Sequence, residues 1–102
     1  MSIPGKTGAP AAGNRAIVTV IGEDRVGIIA AVATLLAEAQ VNILDISQSI
    51  MQEFFVMIMM VDLTRASQGF DALKAALNAR GVEMGLSIDI QREDVFKMMH
   101  RV

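Results

Sequence analysis

The chain has 102 residues, 53% of them apolar, no cysteine, and 9 Lys and Arg against 11 Asp and Glu for a formal net charge of −2. That length suits one domain with a single core, and the lack of cysteine excludes disulfides, thiolate metal sites and cysteine nucleophiles. No basic excess is available to neutralise phosphates, so a nucleic-acid partner is not expected. No apolar run approaches the roughly 20 residues that span a bilayer, so no membrane partner is expected either. A mean hydropathy of +0.47 is high for a soluble monomer and predicts apolar surface turned toward another chain.

Residues 1–15 hold Pro4, Gly5, Gly8, Pro10 and Gly13 among small residues. They show neither helical nor strand periodicity, nor a secretory apolar stretch, and are expected as a flexible tail before a domain at 16–102. Gly5-Lys6-Thr7 echoes the end of a phosphate-binding loop but lacks the preceding strand and glycine that such a loop needs.

Ala16 to Ile21 is β-branched on both parities, the pattern of a central strand covered on two sides. Gly22 ends it, and Glu23 or Asp24 can cap the following helix. That helix is predicted from Val26 to Gln40, with Ile28, Val32, Leu35, Leu36 and Ala39 on one stripe. Val41 to Met51 alternates as an edge strand, with Leu44, Ile46 and Ile50 opposite Asp45, Ser47 and Ser49. Gln52-Glu53 reads as a tight reversal into Phe54–Val61, an unbroken apolar run and a second central strand. A second helix is predicted from Ser67 to Arg80, with Phe70, Leu73 and Leu77 buried and Gly81 as a left-handed cap. Val82 to Gln91 alternates as another edge strand, and a short helix from Glu93 to about Arg101 carries Val95, Met98, Met99 and Val102 on one side.

The order β-α-β-β-α-β, with a right-handed crossover in each half, puts both helices on one sheet face. It yields an α+β, ferredoxin-like sandwich with antiparallel order 4-1-3-2 and a short C-terminal helix. The helix-free face of the central strands is also apolar. Leaving it in water forfeits burial at about 25 cal/mol per Å², so the terminal helix, a partner chain or both should cover it. A homodimer is expected.

These segments together resemble the ACT domain family. The resemblance rests on Gly22-Glu23-Asp24-Arg25-Val26-Gly27-Ile28-Ile29 after the first strand and Val41-Asn42-Ile43-Leu44-Asp45-Ile46-Ser47-Gln48 as the second. The ending Ile90-Gln91-Arg92-Glu93-Asp94-Val95-Phe96 is similar to stand-alone bacterial ACT proteins of the UPF0237 group. The resemblance implies paired domains and a regulatory, non-catalytic role without cofactor or metal, often with an amino acid bound at the seam. It carries ligand contacts onto Asp24, Arg25, Val26, Gly27 and Ile28 of the loop and Asn42 and Ile43 of the strand. Serine-binding members have a histidine and a proline where Gly22 and Val26 stand here, which leaves the ligand's identity open.

The residues support such a site in their own right. The loop precedes a helix whose first amides lack partners and suit a carboxylate, and Asp24 suits an ammonium group. Gly27 admits close approach, and the Asn42 amide both donates and accepts. Plainer roles compete: Asp24 as a helix cap, Gly27 as a packing glycine, Asn42 as a turn residue and Arg25 as a solvated side chain.

Other functions on this fold fit less well. An acylphosphatase-like enzyme would use Arg25 and Asn42, but Glu23 and Asp24 repel phosphate and no nucleophile–base pair exists. RNA binding needs exposed aromatics on the central strands, whereas the chain has no Trp or Tyr and only four Phe. A metal chaperone needs a cysteine pair. The main rival is a homodimeric interaction module that engages a protein partner and takes no metabolite. A reducing cytoplasm suits a chain without cysteine.

Overall fold

The computed structural model describes residues 14–99. Of the tail expected over 1–15, residues 1–13 lie outside them, as does the expected end of the terminal helix at 100–102, while Arg15 already belongs to the first strand. Strand β1 runs Arg15–Glu23, helix α1 Ile28–Glu38, β2 Asn42–Met51, β3 Phe54–Asp62, α2 Phe70–Met84, β4 Ser87–Arg92 and α3 Glu93–Met99. The sheet order is β2-β3-β1-β4, with every neighbouring pair antiparallel. This is the predicted α+β topology, with β1 and β3 central.

The core lies between the sheet and α1 and α2. Val18 and Val20 of β1, Met57, Met59 and Val61 of β3, and Ile90 of β4 point into it, fully buried. Val32 and Leu36 of α1 and Leu73 and Leu77 of α2 meet them from the other layer. Met57 and Met59 are core filling, because an unbranched thioether fits the uneven space beneath two helices.

Several element boundaries differ from the sequence reading; β1 runs through Gly22 to Glu23 instead of ending at the glycine, and α1 stops at Glu38 instead of Gln40. Helix α1 starts at Ile28 rather than Val26, because Gly27 adopts a left-handed φ of 91° that interrupts the chain before the first turn. Helix α2 covers Phe70–Met84 rather than Ser67–Arg80, and its left-handed cap is Gly85. Gly81 sits inside that helix. A Cβ there would come 2.7 Å from the Leu86 carbonyl and 3.0 Å from the Ile88 amide, so the glycine is needed for close approach of α2 to the start of β4. Val82 and Met84 therefore belong to the helix, and the alternation that is real begins at Leu86.

In β2, a bulge between Ile43 and Asp45 shifts the register. It places Ile43 (opposite Val61) and Ile46 (opposite Met59) on the helix side together. No helix reaches the outer edge, and Ile46 and Ile50 remain exposed.

The helix-free face is unevenly covered. Helix α3 turns back across the end of the sheet and lies against β1 and β4. Beneath it Ile17 is only 6% exposed, while Ile21, on the same face four residues on, is 49% exposed. Phe54, Ile58 and Met51 share that bare end. Met98 and Met99, expected to cover either the sheet or a partner surface, do not lie on their own sheet and are 72% and 62% exposed.

Candidate ligand site

The β1–α1 loop is held by backbone bonds at its base. The Asp24 amide donates to the Glu53 carbonyl at 3.1 Å, which ties the loop to the β2–β3 turn. Gly27 then turns the chain, and its carbonyl accepts the first helical bond from the Ala31 amide at 2.9 Å. No side chain caps α1. Neither Glu23 nor Asp24 takes the capping role expected of them, because the left-handed glycine places the helix start beyond their reach. The leading amides of α1 are left without a side-chain acceptor.

Asp24, Arg25, Gly27 and Ile28 line one cleft of about 270 Å³, together with Ile29, Ala30 and Phe55. Its floor is apolar, and one rim carries a carboxylate and the positive end of a helix. Arg25 is exposed, as expected of a solvated side chain, and it has a partner as well. Its guanidinium donates to the Met84 carbonyl at 2.8 Å, at the C-terminal end of α2, where a cation meets the negative end of the helix. Arg25 keeps its charge at the cleft, but Glu23, Asp24 and Glu53 outnumber it and leave this end of the sheet net acidic, favourable to an ammonium group. Val26 stands apart at 98% exposure and lines no wall. A larger, shallower groove of about 490 Å³ between α1 and α2 shares Gly27, but its walls are mainly short α1 side chains.

Asn42 and Ile43 are not part of this cleft. Asn42 pairs with Asp62, which pairs with Arg15 at the start of β1, whereas the loop leaves Glu23, opposite Phe54. Eight residues of strand, about 26 Å, separate the two ends. Asn42 instead lines a polar cleft of about 320 Å³ with Gln40, Asp62, Thr64 and Arg65. The turn out of α1 is made by Gln40 at a φ of 59°, so Asn42 is spared that task. Ile43 packs at the core's margin. Phe55 was not among the sequence candidates. It joins the cleft because β3 pairs it with Gly22, a relation that appears only once the register is set.

An ACT domain family profile matches residues 14–91. The chain belongs to the ACT domain family. Members of this family are regulatory domains that bind amino acids or other metabolites, and ACT domains generally pair. A UPF0237 protein of Clostridium acetobutylicum is 54% identical over 88 residues, covering 86% of this chain and 99% of that protein. A UPF0237 protein of Methanocaldococcus jannaschii is 49% identical over 89 residues, covering 87% and 99%. Among solved structures, an ACT domain protein from Streptococcus pneumoniae superposes with a TM-score of 0.73 at 36% identity, over 83% of this chain and 96% of that one. A formyltetrahydrofolate deformylase from Pseudomonas syringae reaches 0.70 at 23% identity but is matched over only 28% of its length, a likeness of fold alone. Among the described residues, no three His, Cys, Asp or Glu side chains gather as a metal-binding group. None of their helices is long and apolar enough to cross a membrane.

Proposed function

We propose that this ACT domain is a non-catalytic sensor that pairs as a homodimer and binds an amino acid at the seam. The observation that carries the reading is the separation of its two candidate half-sites. The loop cleft and Asn42 occupy opposite ends of one sheet, so a single chain does not join them. Two chains do. If the β2 edges pair antiparallel about a two-fold axis, the start of one strand lies beside the end of the other. Asn42 of the partner subunit then meets the Asp24–Ile28 loop. The β2 edge suits that role, since among the described residues its outer backbone groups lack strand partners and Ile46 and Ile50 flank it, exposed.

In this arrangement the α1 amides take the ligand carboxylate, Asp24 takes the ammonium group, and Asn42 bonds either. Gly27 admits the ligand backbone, while Ile28 with Phe55 forms the apolar floor. Val26 and Ile43 flank these groups, and Arg25 fixes the loop through Met84. The site holds no nucleophile–base pair, which fits sensing rather than turnover. A cytoplasmic setting matches the cysteine-free chain and an amino-acid ligand.

The test is thermal unfolding against each of the twenty amino acids. A ligand at a hundred times its Kd adds about 2.7 kcal/mol of stability. At least one amino acid should raise Tm, and Asn42→Ala should remove the rise while leaving the unliganded Tm within a degree or two. If none raises Tm, the metabolite reading fails, and the chain is the homodimeric protein-interaction module instead.

A further inference from the structure

The lining of the loop cleft distinguishes between amino acids. We propose that the ligand has an aliphatic side chain, seated on Ile28 and Phe55 and against Ile29, an assignment that deepens the amino-acid reading above and rests on it. Three features of the cleft support that class of side chain.

The first is how the polar groups divide. In the reading above, the α1 amides and Asp24 hold the ligand's carboxylate and ammonium group, joined by Asn42 of the partner subunit. Among the described residues, no hydroxyl, amide, imidazole or lysine side chain lines the cleft. Arg25 is the one polar side chain of the lining left over. Its guanidinium already donates to the Met84 carbonyl at 2.8 Å, and Glu23, Asp24 and Glu53 outnumber it, so a second carboxylate on the ligand is poorly received. A neutral polar side chain that leaves water there without a full set of bonds loses affinity.

The second is the surface that remains. Ile28 and Phe55 are buried by the chain itself and form a fixed floor. Ile29, about 100° further round the helix, stands at 40% exposure as a wall. A carboxylate at the amides and an ammonium group at Asp24 fix two substituents of the ligand's α-carbon to the rim, and the third turns toward the floor. An aliphatic group there takes its own hydrocarbon and part of Ile29 out of water together.

The third is size. The cleft holds about 270 Å³, below the roughly 300–1,000 Å³ of sites for drug-sized molecules. A single amino acid suits that space. Lysine and arginine are the nearest competitors, since their stems are hydrocarbon and the rim is acidic. Asp24 is already taken by the α-ammonium group, however, and ordering those long stems costs more than ordering valine, leucine or isoleucine.

The experiment is calorimetric titration of the full chain with glycine, alanine, valine, leucine, isoleucine, glutamine, glutamate and lysine. Affinity should rise about fourfold for each carbon fully buried in the cleft. Leucine and isoleucine should bind roughly tenfold or more tighter than alanine, glutamine, glutamate and lysine. Ile29→Ala should lower the leucine-to-alanine ratio by about threefold or more, and Ile29→Val should restore most of it. If glutamine, glutamate or lysine binds tightest, or if all bind alike, the aliphatic assignment falls while the amino-acid reading stands. A ratio unmoved in Ile29→Ala, shown to be folded by circular dichroism, also overturns the assignment. If that variant does not fold, the series on the unmodified chain decides alone. Should none of these amino acids bind, the aliphatic assignment falls, and the thermal screen of all twenty decides whether the amino-acid reading falls with it.

Discussion

Arg15, the first residue of β1, and Glu93, the first of α3, form a two-pronged ion pair across 78 positions of sequence. Nε of Arg15 donates to Oε1 of Glu93 at 2.9 Å, and Nη2 donates to Oε2. The Glu93 side chain is only 6% exposed, and Lys97 approaches its second oxygen at 3.8 Å. Glu93 is the one charged residue that is buried among those described. The pair pins α3 to the helix-free face and so decides which end of that face stays bare.

Arg15→Ala should leave that carboxylate short of its main partner and lower unfolding stability by about 3 kcal/mol. Arg15→Lys restores the charge without the planar fork and should recover part of the loss. Arg80→Ala serves as a control. It removes an exposed pair with Glu83 at 2.9 Å and should change stability by less than about 0.5 kcal/mol. Urea unfolding of the three variants measures all of this.

Gly81 and Gly85 predict opposite sources of damage on replacement. Gly81→Ala pushes a methyl group against the Leu86 carbonyl at 2.7 Å. Because that contact is backbone and has little room to yield, the cost should be about 3 kcal/mol. Gly85→Ala meets nothing within 4 Å but must hold a φ of 70°, which costs only about 1 kcal/mol. Melting temperatures should rank wild type, Gly85→Ala, Gly81→Ala in falling order.

Arg25→Ala removes the side-chain donor to the Met84 carbonyl. The expected loss is about 1 kcal/mol, with faster amide exchange around the α2–β4 turn. Exchange at the middle of α1 should not change, since Arg25 makes no bond to that helix.

Asp89 ties α2 to β4. Burial works to raise its carboxyl, but hydrogen bonds from Lys74, the Ile90 backbone and Asn78, with the Lys74 charge, outweigh it, and the group is held below its ordinary value. Lys74 Nζ lies 2.6 Å from Oδ1. A carboxyl lowered in the folded state contributes stability above its unfolded pKa and loses it as pH falls through the folded one. Asp89→Asn should therefore flatten the acid limb of the stability profile, below the ordinary carboxylate range, and leave its slope near pH 7 unchanged. The effect should be small, since the side chain is 39% exposed. Chemical denaturation across a pH series reads it directly.

The strand patterns made the fold legible in advance. Ala16–Ile21 and Phe54–Val61 are apolar on both parities, which only a central strand requires, and that alone sets the order of four strands once the crossovers are right-handed. Helix ends were less legible. Gly81 looks in sequence like a terminator, because a helix-ending glycine and a glycine needed for close approach are the same letter. Only the 2.7 Å distance to Leu86 separates them.

The site divides the same way. Local chemistry marked Asp24, Gly27 and the first amides of α1, since a loop, a glycine and a helix start are neighbours in the chain, while Ile28 came from the family resemblance. Phe55 and the engagement of Arg25 with Met84 were hidden, because both depend on which strand end or helix end comes to lie beside the loop. The separation of roughly 26 Å between that loop and Asn42 follows from strand register, which is a property of paired backbones and not of either segment.

Composition, parity and helical spacing thus determined the element types, the layer that holds the core and the apolar character of the second sheet face, since each reflects how one segment meets water. Tertiary structure decided where α3 lies, which end of the face stays open and that the loop cleft and Asn42 stand apart. Those outcomes hang on contacts between residues distant in the chain, Arg15 with Glu93 above all, whose energies exist only when the folded chain brings them within bonding distance.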